Sequence, residues 1–220
     1  MELKIAIIDY GAGNIGSAAN ALRKCRADVS IAKTGKDLQK ADAIVLPGVG
    51  SFSCAKRLAK LRKPILDSIS KKPFLGICLG MQLLFEESEE ARGSALGIFS
   101  GKVRRLKCKK LPNVGWREVK VRKGRLFSGI RSPIFYFCHS YAIKESENAS
   151  SFSKAGKENF VASLERENLF AVQFHPEKSG ACGLKLLSNF VKIATQAKKR
   201  QAELASSVQQ MRASARAKGA

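Results

Sequence analysis

Three apolar runs in the first half of the chain share one pattern, because a glycine turn and then residues at helical spacing follow each run. The runs are "LKIAIID" at 3–9, "AIVLP" at 43–47 and "PFLGIC" at 73–78, and the helical stretches are 14–26, about 51–61 and 79–88. Strands that are apolar throughout are buried on both faces, as in a parallel sheet covered by crossover helices. This half therefore predicts an α/β fold with a mostly parallel central sheet flanked by helices.

The second half has a different pattern, with shorter apolar segments joined by polar turns. These segments are "KVRRL", "WREVKV", "PIFYFCHSYAI", "NFVASLER" and "LFAVQFHP". They predict strands with some antiparallel pairing, and "CGLKLLSNFVKIATQAKK" predicts a closing helix. We expect one domain over residues 1–198. Residues 199–220 are rich in Ala, Lys and Arg with few large apolar side chains, which predicts a frayed helix or a disordered tail.

The charge adds a constraint on partners, because the 220 residues hold 40 Lys and Arg against 18 Asp and Glu, a net charge of +22. Residues 102–125 alone contain eleven basic residues and one acid. Such a field attracts anions, acidic proteins and nucleic acid. Aromatic side chains are not interleaved with the basic runs, so stacking platforms for nucleic acid are not evident and nucleic-acid binding is not expected.

The start of the chain and its cysteines bear on location and on metal binding. The first residues, "MELKIAIIDY", do not read as a signal peptide, and no apolar run approaches the length of a membrane span. We therefore expect a cytoplasmic protein that does not enter a membrane. The six cysteines are scattered without metal-ligand spacing, so we expect neither disulfides nor a metal site.

The turn "YGAGNIG" contains the spacing G-x-G-x-x-G between a predicted strand and a predicted helix. That spacing is the fingerprint of dinucleotide-binding turns, which also need an acid at the end of the next strand. Here the next strand ends in "AKTG", and Asp37 comes late. A tight turn that needs glycine for its backbone is the simpler interpretation.

The segment "PFLGICLGMQ" carries the strongest chemical signal, a strand followed by G-x-C-x-G and a helix. This is the cysteine form of a nucleophile elbow. A sharp turn lifts Cys78 above the sheet edge, and side chains at Gly76 and Gly80 would collide with neighbouring backbone. The position at a helix N-terminus favours a thiolate. We therefore predict that Cys78 is a nucleophile.

A nucleophile needs a base and, for acyl transfer, donors to an oxyanion. The chain has two histidines. His175 follows the last apolar strand, at the strand-end edge expected for Cys78, and Glu177 can orient its imidazole. His139 is the alternative, more simply read as a structural polar residue. The Leu79 N–H and the loop "PGVG" at 47–50 are candidate oxyanion donors.

Together these motifs resemble a known family. G-x-C-x-G-x-Q with a distant H-P-E is similar to the class I glutamine amidotransferases. "IAIIDYGAGNIGS", "LPGVGSF", "LPNVGW", "FYFCHSY" and "FHPEKS" resemble, more narrowly, the glutaminase subunits of imidazole glycerol phosphate synthase in histidine biosynthesis, over about residues 3–195. Arg117 departs from that pattern, where an asparagine is usual.

The resemblance implies hydrolysis of glutamine to glutamate and ammonia, without metal or cofactor. It implies a (β/α)8-barrel cyclase partner that uses the ammonia to form imidazole glycerol phosphate and AICAR. The residues it implies are the triad Cys78, His175 and Glu177; the oxyanion group Leu79, Val49 and Gly50; the substrate-binding Gly48 and Gln82; and the partner-facing Asn113, Trp116, Tyr141 and Lys178. The alternatives are a basic nucleotide- or nucleic-acid-binding module and a glutaminase subunit of another amidotransferase pathway.

Overall fold

The structure is a computed structural model that describes residues 2–91 and 95–218. Its strands are β1 Lys4–Ile8, β2 Asp28–Ala32, β3 Ala43–Leu46, β4 Phe74–Ile77, β5 Phe85–Ser88, β6 Phe99–Arg105, β7 Asn113–Glu118, β8 Lys120–Val121, β9 Ile134–His139, β10 Tyr141–Ala142, β11 Ala149–Ala155, β12 Glu158–Arg166 and β13 Leu169–Val172. Its α-helices are α1 Ile15–Lys24, α2 Gly35–Gln39, α3 Arg62–Ile69, α4 Leu79–Gln82 and α5 Gly180–Lys218, and 3-10 helices occupy Phe52–Leu58, Arg125–Phe127 and Pro176–Lys178.

The central sheet has eight strands in the order β2-β1-β3-β4-β13-β12-β11-β8. The first five pair in parallel, and β12, β11 and β8 add to them in antiparallel pairs. The predicted α/β fold, with a mostly parallel sheet and antiparallel strands from the second half, is confirmed. The register of β13 beside β4 pairs Val172 with Ile77, so the residues after both strands emerge at the same edge of the sheet.

Apolar side chains cover both faces of this sheet, which explains the unbroken apolar runs of the first half. Along β1, Ile5 and Ile7 pack into a core layer shared with α1 and α5, while Ala6 and Ile8 pack into a layer shared with α2 and α3. Successive strand residues point to opposite faces, so a strand between two helical layers needs apolar residues at every position.

Several elements differ from the sequence prediction, three of them near the candidate site or in the central sheet. The predicted helix over 79–88 is wrong beyond its first turn, because α4 ends at Gln82 and β5 then pairs with β6. The predicted helix over 51–61 is a 3-10 helix at Phe52–Leu58. Strand β11 was not predicted, because its serines give no apolar run; they are buried through side-chain hydrogen bonds such as Ser151 to Ser163.

A two-stranded ribbon of β7 and β9 lies outside the central sheet. Phe135 and Phe137 on β9 are buried, but a second set of large apolar side chains is partly in solvent: Trp116 is 53% exposed, Val114 47% and Ile134 45%. Isolated exposed apolar residues are ordinary, but a group of them on one ribbon marks a surface that is suited to contact.

Helix α5 continues past the predicted domain end at residue 198 without a break, to Lys218. Its last contacts with the body come from Lys198, which pairs with Asp42, and from Gln201, whose amide donates to the Lys71 carbonyl. Side chains from 202 to 210 are exposed. The tail boundary stays a prediction, and Gly219 and Ala220 lie outside the described residues. Over the described residues, no helix combines the length and the apolar character that crossing a membrane requires.

Candidate active site

The turn at Cys78 has the geometry of a nucleophile elbow. Cys78 lies directly between β4 and α4 with φ 52° and ψ −107°, in the left-handed region that L-residues rarely adopt. A Cβ on Gly76 would lie 2.9 Å from the Gly80 carbonyl oxygen, and a Cβ on Gly80 would lie 1.9 Å from that of Leu46. The predicted reason for the two glycines is therefore what the backbone requires.

The structure brings Cys78, His175 and Glu177 together at the edge where β4 and β13 end. The Cys78 N–H donates to the Val172 carbonyl at 2.7 Å, which fixes the elbow to β13. His175 Nδ1 and Glu177 Oε1 are 2.8 Å apart, and both side chains are only 3% exposed. A carboxylate at Nδ1 leaves the other ring nitrogen to face the sulfur, which is the arrangement of a nucleophile, a base and an orienting acid.

The two histidines have opposite electrostatic environments. Burial opposes a charge on the His175 ring, but hydrogen bonds and charge from Cys78 and Glu177 raise the pKa of His175 to about 10. Burial lowers the pKa of His139 to about 4. At neutral pH His175 is therefore an imidazolium and His139 is neutral, so His175 is the histidine that can exchange a proton with the sulfur.

His139 has a structural environment. Its Nδ1 lies 2.9 Å from the Tyr141 carbonyl oxygen and its Nε2 lies 3.1 Å from the Asn113 amide nitrogen. A carbonyl only accepts, so Nδ1 carries the proton and Nε2 accepts from Asn113. Asn113 is 4% exposed. The Asn113 side chain thus donates a hydrogen bond to His139 inside the fold. The sequence did not indicate this contact, because Asn113 was expected to face a partner.

The candidate oxyanion donors are present, but one of them is occupied. The Leu79 N–H bonds to the Gly48 carbonyl oxygen at 3.4 Å, beyond the usual range for such bonds. The next loop residues, Val49 and Gly50, are exposed, and Gly50 has φ 107°. The loop is held at one end by Tyr10, whose hydroxyl donates to the Pro47 carbonyl at 3.0 Å. The Gly48 carbonyl therefore lies where an oxyanion would need donors.

Gln82 is buried next to the nucleophile, together with a residue that sequence reasoning missed. Its Nε2 donates to the Tyr141 carbonyl at 2.9 Å and to Gln173 Oε1 at 3.1 Å. Gln173 is fully buried, and its Nε2 lies 3.6 Å from the Cys78 sulfur. The signal for Gln173 was its place two residues before His175 on an extended segment, where alternate side chains share a face.

The remaining predicted residues lie on or beside the ribbon. The Trp116 ring meets the Tyr136 ring edge-on at 6.1 Å between centroids, and the Lys178 ammonium lies 5.9 Å from the Tyr136 centroid. The Tyr141 backbone faces inward to Gln82. Tyr136 was not predicted, yet its carbonyl accepts from the His175 N–H at 2.9 Å. The exposed ribbon is thus hydrogen-bonded directly to the backbone of His175.

Two glycines of the turn "YGAGNIG" have backbone angles that favour glycine. Gly11 has φ 75° and Gly13 has φ 117°, and a Cβ on Gly13 would lie 3.3 Å from the Pro47 carbonyl oxygen. Both glycines thus have a backbone reason independent of any nucleotide. Among the described residues, no cluster of three or more His, Cys, Asp or Glu side chains could hold a metal ion.

Known proteins with similar sequences form one group. The family described as glutamine amidotransferase class-I matches residues 6–194. A relative from Pyrococcus furiosus is 46% identical over an alignment of 194 residues that covers 85% of this chain and 97% of that protein. A relative from Methanocaldococcus jannaschii is 45% identical over an alignment of 195 residues that covers 86% of this chain and 99% of that protein. Both are named imidazole glycerol phosphate synthase subunit HisH.

Solved structures share the fold at lower identity. PurLQS from Thermotoga maritima matches with a TM-score of 0.70 at 19% identity, covering 88% of this chain and 99% of that chain. The glutaminase domain of Trypanosoma brucei CTPS matches with a TM-score of 0.64 at 17% identity, covering 90% and 94%. With its sequence matched over nearly the full length of its relatives, the chain belongs to the class I glutamine amidotransferases and, within them, to the HisH subunits of imidazole glycerol phosphate synthase.

Proposed function

We propose that Cys78, His175 and Glu177 carry out the glutamine hydrolysis that belongs to a HisH subunit. The observation that carries this assignment is the elbow at Cys78, beside a buried imidazolium that Glu177 orients at 2.8 Å. A thiolate paired with an imidazolium is a ready nucleophile, because no proton has to leave before the attack.

In the first half of the reaction, the Cys78 thiolate attacks the side-chain amide carbon of glutamine. The carbonyl electron pair moves to oxygen and forms a tetrahedral oxyanion. The C–N bond then breaks, and the His175 imidazolium gives its proton to the departing nitrogen, which leaves as ammonia. A thioester between Cys78 and the glutamyl group remains, and His175 is neutral.

In the second half, neutral His175 takes a proton from water as the water oxygen attacks the thioester carbon. The C–S bond breaks, glutamate leaves, and Cys78 returns as a thiolate beside the recharged His175. Glu177 remains a carboxylate throughout and holds the ring through Nδ1. The buried position of both side chains keeps this pair from exchanging with bulk water.

Substrate binding and oxyanion stabilisation follow from the same site. Both N–H groups of the Gln82 amide are used by protein acceptors, so only its oxygen is left to contact glutamine. The Leu79 N–H and the Val49 N–H are the proposed oxyanion donors. Because the Gly48 C=O and the Val49 N–H belong to one trans peptide and point in opposite directions, the Val49 N–H points away from the site.

In this arrangement the Gly48 carbonyl occupies the Leu79 N–H, and the Val49 N–H points away from the site. A rotation of the Gly48–Val49 peptide would change both, because it withdraws the carbonyl from Leu79 and directs the Val49 N–H to the position that the carbonyl left. The bond that must break is long at 3.4 Å, and the rotation changes ψ of Gly48, where the missing side chain widens the range of accessible backbone angles. We therefore propose that the isolated subunit is a slow glutaminase, and that its partner favours the rotated peptide.

As a HisH subunit, the chain acts on glutamine and works with a cyclase. We propose that this cyclase is a (β/α)8 barrel, that it docks on the ribbon around Trp116, and that Lys178 contributes at the rim. The apolar side chains on the ribbon and the Tyr136-to-His175 hydrogen bond support this surface, because docking there reaches the catalytic histidine through one bond. Ammonia would pass directly to the cyclase. A cytoplasmic location remains our proposal from the sequence.

The test is glutamate release from glutamine, with and without a cognate cyclase, for the native chain and for Cys78→Ala. We expect no release from the variant in either condition and unchanged complex formation. Cys182→Ala is the matched control, because Cys182 lies on α5 and its thiol donates to the Ser132 carbonyl rather than to a residue of the candidate triad, and it should keep full activity. Substantial turnover by Cys78→Ala would refute the assignment, and full activity without cyclase would refute the closed oxyanion loop.

A further inference from the structure

The Cys78 sulfur has two polar neighbours besides the histidine, and they favour opposite protonation states. The Cys138 carbonyl oxygen lies 3.9 Å from the sulfur and can only accept, so it favours the protonated thiol. The Gln173 Nε2 lies 3.6 Å from the sulfur and can only donate, so it favours the thiolate. Which protonation state of the Cys78 sulfur the neighbours favour therefore depends on which end of the Gln173 amide faces it.

The direction of the Gln173 amide is fixed by a short chain of hydrogen bonds. The Tyr141 carbonyl can only accept, so the Gln82 atom that faces it at 2.9 Å is the amide nitrogen. The second N–H of that nitrogen then meets Gln173 at 3.1 Å, and the Gln173 atom there has to be the acceptor Oε1. The remaining atom of the Gln173 amide, Nε2, is left to point at the sulfur.

We propose that Gln173 is a second partner of the nucleophile, which stabilises the Cys78 thiolate by an N–H donor that Gln82 and the Tyr141 carbonyl hold in place. Gln173 is fully buried and Gln82 is 4% exposed. Water therefore does not compete for the donor, and neither amide can turn without leaving a buried group unpaired. Gln82 thus has an orienting role in addition to its proposed contact with glutamine.

The experiment follows alkylation of Cys78 by iodoacetamide across pH, with mass spectrometry to separate Cys78 from the other five cysteines. The variants are Gln173→Leu, which removes the donor, and Gln173→Glu, which replaces it with a negative charge. The titratable groups that interact with the sulfur are His175 and Tyr10, and Glu177 and His139 interact in turn with His175. Both variants leave these four groups in place, and Gln173→Glu adds one carboxyl group. Since one hydrogen bond to a charged group shifts its titration by about one pH unit, the midpoint for Gln173→Leu should rise by about one unit.

The alkylation rate of Gln173→Leu should thus fall about tenfold at pH values below the midpoint and reach the native plateau at high pH. The midpoint for Gln173→Glu should rise further. Asn189→Leu is the matched control, because Asn189 is a buried amide on α5 whose hydrogen bonds go to the Leu126 and Ser128 carbonyls and not to Cys78. It should lose stability and keep the native midpoint.

Two results would overturn the proposal. The first is an unchanged midpoint in Gln173→Leu. The second is a rate lowered by one factor at every pH, which is what a purely structural displacement of the thiol produces. This proposal rests on the proposed role of Cys78, but separate experiments can refute the role of Cys78 and the role of Gln173. Loss of that role appears as glutamate release by Cys78→Ala, whereas loss of the Gln173 role appears only in the alkylation profile.

Discussion

The presence of only two histidines makes the assignment of the base directly measurable. The ring carbons of His139 and His175 give two signals in a histidine-labelled sample, and each can be followed by NMR from pH 4 to pH 10. The pKa values expected are about 4 for His139 and about 10 for His175. For His175, the interval from the ordinary value of 6.5 to about 10 corresponds to about 5 kcal/mol, at about 1.4 kcal/mol for each pH unit.

The perturbation is Cys78→Ala, which removes one of the two groups that favour the charged ring. Cys78 and Glu177 both act by a hydrogen bond and by charge, with the Cys78 hydrogen bond the larger of the two bonds, and burial opposes them. Removing Cys78 therefore removes one hydrogen bond and one charge that favour the imidazolium. Since a nearby opposite charge shifts a pKa by about 1 to 3 units, we expect the His175 pKa to fall by about two units, which corresponds to about 3 kcal/mol.

His139 provides the internal control for this titration, because its partners are the Tyr141 carbonyl and Asn113, and both remain. Its signal should stay that of a neutral ring down to about pH 5 in both proteins. Two signals that both titrate near pH 6.5 in the native chain would refute the electrostatic reasoning. The reasoning would also be refuted if, in Cys78→Ala, the pKa of His139 changed and the pKa of His175 did not.

Further outcomes follow from burial, packing and charge. The folded state lowers the pKa of His139 to about 4. The stability that neutral His139 contributes is therefore present above about pH 6.5 and is lost as pH falls toward 4. Over that range, urea unfolding should show that the native chain loses about 3 kcal/mol more stability than His139→Gln. Gly80→Ala should unfold the protein or cost more than about 3 kcal/mol in the same assay, since its Cβ would lie 1.9 Å from a backbone oxygen, whereas Gly16→Ala, with nothing within 4 Å, should be tolerated. Association with the cyclase should slow as salt rises if the basic stretch at 102–125 steers an acidic partner, and a flat salt profile in stopped-flow would show that it does not. Deleting residues 202–220 should leave glutamate release and complex formation unchanged, and a loss of either would assign a function to the C-terminal part of the chain.

Much of the fold could be read from local patterns because the first half repeats one unit. Apolar runs at β1, β3 and β4 predicted buried parallel strands, and the elbow glycines predicted a turn that the backbone then required. The predictions that failed involve segments whose local pattern is ambiguous or lacks an apolar run. The apolar residues at 83–85 suit a helix and a strand equally, and only the pairing of β5 with β6 decides between them.

The candidate site also has some features that the sequence indicates and others that only the structure shows. The sequence by itself indicated Cys78, His175 and Glu177 as the candidate triad, because a nucleophile, a base and an orienting acid can be proposed from residue type and from position after apolar strands. Only the tertiary structure decided which histidine is charged, because burial and neighbours such as Cys78 set a pKa. It also turned Asn113 inward, directed the Gly48 carbonyl at Leu79 and placed Gln173 against the sulfur. These last features depend on hydrogen bonds between groups up to 95 positions apart, which no local pattern encodes.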